Sequence, residues 1–287
     1  MITWYSLLFL LVLVVLVVRK HDVGEAAEDD VSFDQNYVVR YGNDHFLKLN
    51  QGRDVQLSLD QTTGSGFNSK NGYGSGFFEM KLKLPSSHSP GVVTTFYLMS
   101  KASASQHDEL DFEFLGNIEG QQITLQTNVF VNGVGNREQR INLWFDPAGN
   151  FHDYKILWNP HHVVFYVDQF PIRIFKNNKK FGVPYISKPM KIQASLWNAE
   201  WATRDADIDW RYAPFKAHYQ GFDVNGCTPQ NSIKDCYGHR YWWNSRKHWE
   251  LDSNERQKYE DIRRFLVYDY CSAGFPRKPE CDLKWID

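Results

Sequence analysis

A chain of 287 residues is long enough to bury one large core or two modest ones. Its 32 basic and 34 acidic residues leave a formal net charge of -2, which excludes the electrostatic footprint of a nucleic-acid binder, and the basic stretch at 176–180 reads as a solvated loop. Aromatic residues make up 16% of the chain, with 10 Trp; β-sandwich cores absorb most such rings, but the excess points to some that face a ligand, as flat sugar faces require.

In chain order, residues 7–18 come first as an uninterrupted apolar run, the length of a secretory leader's core. The expectation is a signal peptide over 1–26, cut among the small residues at 24–27, although Arg19-Lys20 follows the run instead of preceding it. Left uncleaved, this segment would be the chain's one route to a membrane. From 31 to 215 the sequence alternates in short segments broken by Gly, Asn, Asp and Pro, the pattern of a sandwich. Strands are expected at 76–84, 92–99, 109–114, 122–130, 154–158, 163–168, 172–175 and 190–197. Turns fall at Asn71-Gly72, Asn132-Gly133, Asp146-Pro147 and Asn159-Pro160. The domain reading is 27–215 for the sandwich and 216–287 for an extension packed on it. One helix is expected there, over 253–268, with Tyr259, Ile262, Phe265 and Leu266 on one stripe. All four cysteines lie in the extension, and in an exported chain the simplest local pairs are Cys227–Cys236 and Cys271–Cys281.

Chemistry concentrates in His107-Asp108-Glu109-Leu110-Asp111-Phe112-Glu113-Phe114. Side chains alternate along a strand, so Glu109, Asp111 and Glu113 share one face while Leu110, Phe112 and Phe114 face the core. Three like charges in a row repel, raise one another's pKa and cost stability. An acidic solvent face or a calcium site is the alternative to a catalytic one. Glycoside hydrolysis favours the catalytic reading, because it needs one ionised and one protonated carboxyl, and crowding separates their pKa values. Residues four apart in a strand have Cα atoms about 13 Å apart. Side chains leaning inward would bring the carboxyls to about 5–6 Å, the retaining separation. Glu109 is then the nucleophile, Glu113 the general acid and later base, and Asp111 the residue that holds Glu109 and tunes its charge. His107, Asp108 and the pair His161-His162 are the candidate ligands for a metal; neighbours in a strand point to opposite faces, so the histidines are read as loop or surface residues, and no metal or other cofactor is expected.

Two more segments present polar groups on one side only. Gln122, Thr124, Gln126 and Asn128 alternate with Ile123, Leu125, Thr127 and Val129, and Lys191, Gln193, Ser195 and Trp197 alternate with Met190, Ile192, Ala194 and Leu196. Each could be a solvated outer face; with the acidic strand between them they suit a sugar chain, whose hydroxyls need donors and acceptors.

The stretch HDELDFEFLG at 107–116 resembles the active-site signature of the xyloglucan endotransglucosylase/hydrolases, plant members of glycoside hydrolase family 16. Similar features run through LQTNVFVNGVGNREQRINLWFDP at 125–147, VDQFPIRIFKN at 167–177, SLWNAEWATR at 195–204 and the Cys-rich tail. The resemblance implies an all-β fold, a curved, concanavalin-like jelly-roll sandwich with an open groove. It implies a covalent glycosyl-enzyme on Glu109, Glu113 as acid/base and Asp111 as helper, acting on a xyloglucan donor with an oligosaccharide acceptor. It marks Tyr97, Gln126, Asn128, Arg137, Glu138, Trp197, Trp201 and Arg204 as groove residues. It also implies a secreted monomer of the cell wall and apoplast. The chain departs from the family in lacking any Asn-X-Ser/Thr, in a short loop at 198–201 without the insertion of the mainly hydrolytic branch, and in Ser272-Ala273-Gly274 after Tyr270-Cys271, where Arg277 is a weak substitute. The short loop favours transfer over hydrolysis. A lectin-like binding module is the rival from another class, disfavoured because a binder gains nothing from three crowded acids.

Overall fold

The computed structural model describes residues 31–86, 88–101, 103–203, 206–273 and 277–283. The expected leader over 1–26 lies outside the described residues. Sixteen strands follow in chain order: β1 Tyr37–Tyr41, β2 Phe46–Leu49, β3 Asp54–Leu59, β4 Ser65–Ser69, β5 Ser75–Lys83, β6 Val92–Ser100, β7 Glu109–Leu115 and β8 Thr124–Phe130, then β9 Gln139–Asn142, β10 His152–Trp158, β11 His162–Val167, β12 Phe170–Lys176, β13 Met190–Asn198, β14 Phe215–Gln220, β15 Asn225–Cys227 and β16 Leu266–Asp269. They build two antiparallel 8-stranded sheets. One runs β1-β4-β13-β6-β7-β8-β9-β16; the other runs β12-β11-β10-β5-β14-β3-β2, with β15 beside β5.

The sandwich forms because alternate residues of each strand are apolar and need a partner face. On β7, Leu110, Phe112 and Phe114 are fully buried, with Phe96 and Leu98 of neighbouring β6. Across the core, the Phe112 ring meets Phe165 of β11 edge-on at 5.2 Å, and the Phe114 ring meets Tyr154 of β10 at 4.6 Å. Each buried ring contributes about 2–3 kcal/mol by leaving water, and the edge-to-face geometry adds to that. The strand ends at Gly116, where a Cβ would lie 2.0 Å from the Ser89 carbonyl oxygen, so only glycine lets the chain pass.

The eight expected strands are all present, shifted by a residue or two. The expected domain boundary needs correction: β14 starts at Phe215 and lies between β5 and β3, so the sandwich continues beyond 215. The helix is also shorter than expected. It spans Ser253–Ile262, capped by Asp252, whose carboxylate accepts from the Glu255 amide at 2.8 Å. Its last expected turn is instead β16, because pairing with β9, Leu266 against Ile141 and Tyr268 against Arg140, competes with the helix and wins.

The extension is fastened to the back sheet. Cys227–Cys236 and Cys271–Cys281 are bonded. The Trp243 indole donates to Ser75 Oγ at 3.0 Å, Ser75 Oγ donates to the Cys236 carbonyl at 2.7 Å, and the Asn159 amide donates to the carbonyls of Trp243 and His248. Tyr259 and Ile262 bury the inner face of the helix. No helix among the described residues is long and apolar enough to cross a membrane.

Candidate active site

The register of the first sheet aligns the polar alternates into rows. Tyr97, Asp111 and Asn128 lie abreast on β6, β7 and β8; one row along, Thr95, Glu113, Gln126 and Arg140 lie abreast from β6 to β9; Met99, Glu109 and Phe130 form a third. Above them opens a cleft of about 620 Å³ lined by Glu109, Asp111 and Glu113 together with Tyr97, Gln126, Asn128 and Glu138. Trp197 and Trp201 line it on the β13 side, with ring centroids 6.2 Å apart, and Tyr268 lines it from β16. Trp201 is 52% exposed, a cost a folded chain accepts where a partner is to be stacked.

The three acids occupy different environments. Asp111 is buried between the other two; burial, then the charges of Glu109 and Glu113, push its carboxyl well above the usual range, and its hydrogen bond with Glu109 raises it further while lowering Glu109. Burial also raises Glu109, but the Asp111 hydrogen bond and the His107 ring, with Nε2 at 2.8 Å from Oε2, pull it back down. Of this coupled pair Asp111 is raised the more, because Glu109 has the His107 ring against Oε2 to favour its charge. Glu113 is raised by burial first, moderated by Gln126, and by the charge of Glu109 in turn. Gln126 donates to Glu113 Oε2 at 2.7 Å and accepts from Arg140 Nε at 2.7 Å, which fixes the amide orientation and leaves the other Glu113 oxygen toward the cleft. The arrangement sets carboxyls in unequal environments on the same floor, as acid-assisted displacement at an acetal carbon requires.

The family model for glycosyl hydrolases family 16 matches residues 33–212, which include this whole constellation. The chain belongs to glycosyl hydrolases family 16. It is 57% identical over 256 residues to xyloglucan endotransglucosylase/hydrolase protein 2 of Arabidopsis thaliana, covering 87% of each chain. It is 47% identical to xyloglucan endotransglucosylase protein 2 of Diospyros kaki, covering 88% of each. Among solved structures, the Bacillus licheniformis β-glucanase superposes with a TM-score of 0.56 at 25% identity, over 67% of this chain and 93% of that one. The apo Crh5 transglycosylase superposes with a TM-score of 0.57 at 22% identity, over 72% and 85%. The chain is thus a retaining family 16 enzyme on a jelly-roll sandwich.

Within this family 16 site, Tyr97, Gln126, Asn128, Glu138, Trp197 and Trp201 meet the acids in the cleft. Arg137 does not, and its expected place in the groove is corrected. It is 2% exposed and turned beneath the sheet, where NH1 donates to the Val129, Val134 and Gly135 carbonyls and Nε to Glu280 Oε1. Arg137 and Glu138 precede β9 in irregular backbone, and these carbonyls together with Glu280 hold the guanidinium away from the cleft. Arg204 lies outside the described residues. Of the histidines, His107 and His161 are loop residues as expected, His107 buried against Glu109 and His161 half-buried against Trp249, whereas His162 is corrected: it is buried at the start of β11. Asp108 is a structural staple, its carboxylate accepting from the amides of Asn132, Ser187 and Lys188 at 2.9, 2.7 and 3.0 Å.

Sequence reasoning missed Arg40, Tyr41, Thr95, Phe130, Arg140 and Tyr268 as cleft residues. Arg40 donates to the Tyr97 hydroxyl at 3.0 Å and to Gln193 Oε1 at 2.7 Å, bracing the cleft wall. Arg140 carried a signal, since it alternates with the apolar Ile141, which faces the core on β9.

Proposed function

We propose that this chain is a xyloglucan endotransglucosylase, secreted to the cell wall and apoplast, that cuts the β-1,4-glucan backbone of a xyloglucan donor and passes the new end to another xyloglucan chain. The single observation that carries the reading is the row Glu109, Asp111 and Glu113 on an open cleft floor, with burial raising all three and the Asp111 and His107 hydrogen bonds drawing Glu109 back down. The Glu109 carboxylate attacks the anomeric carbon as Glu113 gives its proton to the departing glycosidic oxygen. A sugar hydroxyl then attacks the glycosyl-enzyme, its proton passes to the Glu113 carboxylate, and Glu109 leaves.

Length and flanking rings support a polymeric substrate. From β13 to β16 there are five strand spacings, about 24 Å, with Trp197 and Trp201 on one flank of β7 and Tyr268 on the other. Rings on both sides suit an enzyme that must hold sugars on both sides of the broken bond, as transfer requires. Hydrolysis uses the same acids with water as acceptor.

Purified protein incubated with xyloglucan and a labelled xyloglucan oligosaccharide separates these readings. Transfer puts label into polymer without matching growth of reducing ends; hydrolysis produces reducing ends alone; a chain that binds glucan and does neither refutes the enzyme reading.

A further inference from the structure

The signature stretch holds one side chain that the two-carboxylate chemistry leaves unused, His107. Its ring is engaged at both nitrogens: Nδ1 lies 2.7 Å from the Ala104 carbonyl oxygen, and Nε2 lies 2.8 Å from Glu109 Oε2. A carbonyl oxygen only accepts, so Nδ1 carries a hydrogen. A neutral ring would then present a bare Nε2 to a carboxylate, two acceptors face to face. Contact at 2.8 Å therefore places a hydrogen between the two atoms, which the carboxylate form of Glu109 accepts from Nε2.

The ring has no room to turn away. It is 8% exposed and rests on Phe130 with centroids 5.1 Å apart. Its own carbonyl accepts from the Gly133 amide at 2.6 Å. Gly133 has φ of 73°, and a Cβ there would come within 2.4 Å of the Ser105 carbonyl carbon, so the Asn132-Gly133 turn is pressed directly on the loop that carries the ring. The other charged or titratable groups facing Glu109 are Arg40 from β1, Tyr97 from β6, and Asp111 and Glu113 from β7. Arg40 NH1 is committed to Tyr97 and Gln193, so His107 is the cation in direct contact.

We propose that His107 is a positioning residue for Glu109, donating from Nε2 to the carboxylate oxygen that does not bond to the sugar, and so promoting breakdown of the glycosyl-enzyme. The inference rests on Glu109 being the nucleophile. In the first half-reaction the bond from Glu109 Oε1 to the anomeric carbon forms, the bond to the leaving oxygen breaks, and that oxygen takes the Glu113 proton. Oε2 becomes the ester carbonyl and keeps accepting from His107. In the second, the acceptor oxygen bonds to the anomeric carbon, its proton goes to Glu113, and the electron pair of the ester bond returns to Glu109. The charge that grows on the departing carboxylate meets a donor already in place, so stabilisation is greatest in that transition state. The His107 protons stay on the ring throughout.

The test compares the full enzyme with His107→Gln, which keeps a donor without the charge, and His107→Phe, which keeps the ring packing on Phe130 with neither. Both are first checked for wild-type thermal unfolding. The rate is followed against pH, and the steady-state glycosyl-enzyme fraction is read by mass spectrometry after acid quench with a defined xyloglucan oligosaccharide donor. Loss of the cation should move the acidic limb of kcat/KM up by about one pH unit. It should lower kcat about tenfold in His107→Gln and about a hundredfold in His107→Phe, with a larger trapped fraction in both. An unmoved acidic limb together with an unchanged trapped fraction in both variants overturns the proposal, even if the rates fall. Glu109→Gly run alongside keeps the two claims separate: activity retained there removes the nucleophile assignment, whereas activity lost there with wild-type behaviour in the His107 variants removes His107 alone.

Discussion

The two faces of β7 are both withdrawn from water, yet by opposite chemistry. Leu110, Phe112 and Phe114 lie under the sheet in contact with rings of the opposing sheet, and every ångström of their burial stabilises the fold. Glu109, Asp111 and Glu113 alternate with them on the cleft side, where burial raises each pKa, the charges of Glu109 and Glu113 raise Asp111 further, and the charge of Glu109 raises Glu113. A strand that only had to fold would not carry that row. One face holds the chain together, and the other stores electrostatic cost where a glycosidic bond is to be broken.

That contrast can be broken most severely on the cleft face. Glu109→Ala or Glu113→Ala should lower transfer of label to polymer by at least about 10⁴-fold while thermal unfolding stays at or above the wild-type temperature. On the core face the effect should be inverted. Phe112→Ala should cost about 4 kcal/mol in urea unfolding and leave the acid and base limbs of the folded fraction's pH–rate profile where they were.

Asp111→Asn sharpens the comparison through pH. A carboxyl whose pKa is raised on folding binds more protons folded than unfolded; its contribution is fully present below the unfolded value near 4 and is lost as pH rises through the folded value. The amide does not titrate, so the variant should gain stability relative to wild type steadily above about pH 4, with the widest gap at neutral and alkaline pH. A gap in melting temperature that stays constant from pH 4 to pH 8 would deny that Asp111 holds its proton in the folded enzyme. The smallest effect is expected at the cleft rim. Trp201→Ala should raise the xyloglucan KM about tenfold and shift stability by less than about 0.5 kcal/mol, as fits a half-exposed ring that packs on substrate more than on protein.

Legibility in the sequence followed the strength of the alternation. The period-2 pattern of 109–114 gave both faces of β7, and the one-sided polar sets gave Gln126, Asn128 and Trp197 a shared side with the acids. Arg137 lies in irregular backbone before β9, where no alternation assigns a face, and it is held out of the groove by Glu280, a partner remote in sequence. Tyr268 was hidden because the run 253–268 satisfies a helical stripe, and only the pairing of β16 with β9, remote in sequence, pulls its end into the sheet. Arg40 was hidden for a related reason. Edge strand β1 has no alternating burial, and it is placed by pairing with Ser65–Ser69 of β4, a contact no local pattern announces. His107 is the loop residue expected inside the most legible motif, but its contact with Glu109 was hidden, because it depends on the Ala104 carbonyl and the Asn132-Gly133 turn that fix its ring.

The central claim is that Glu109 carries the glycosyl group between donor and acceptor. Enzyme mixed with a xyloglucan oligosaccharide donor, quenched in acid, digested and read by peptide mass spectrometry tests it directly. The expected result is the donor's glycosyl mass on the peptide containing 107–116, localised to Glu109 and discharged when acceptor is added before the quench. A label on another residue, or an unlabelled enzyme that releases product of inverted configuration, would contradict it.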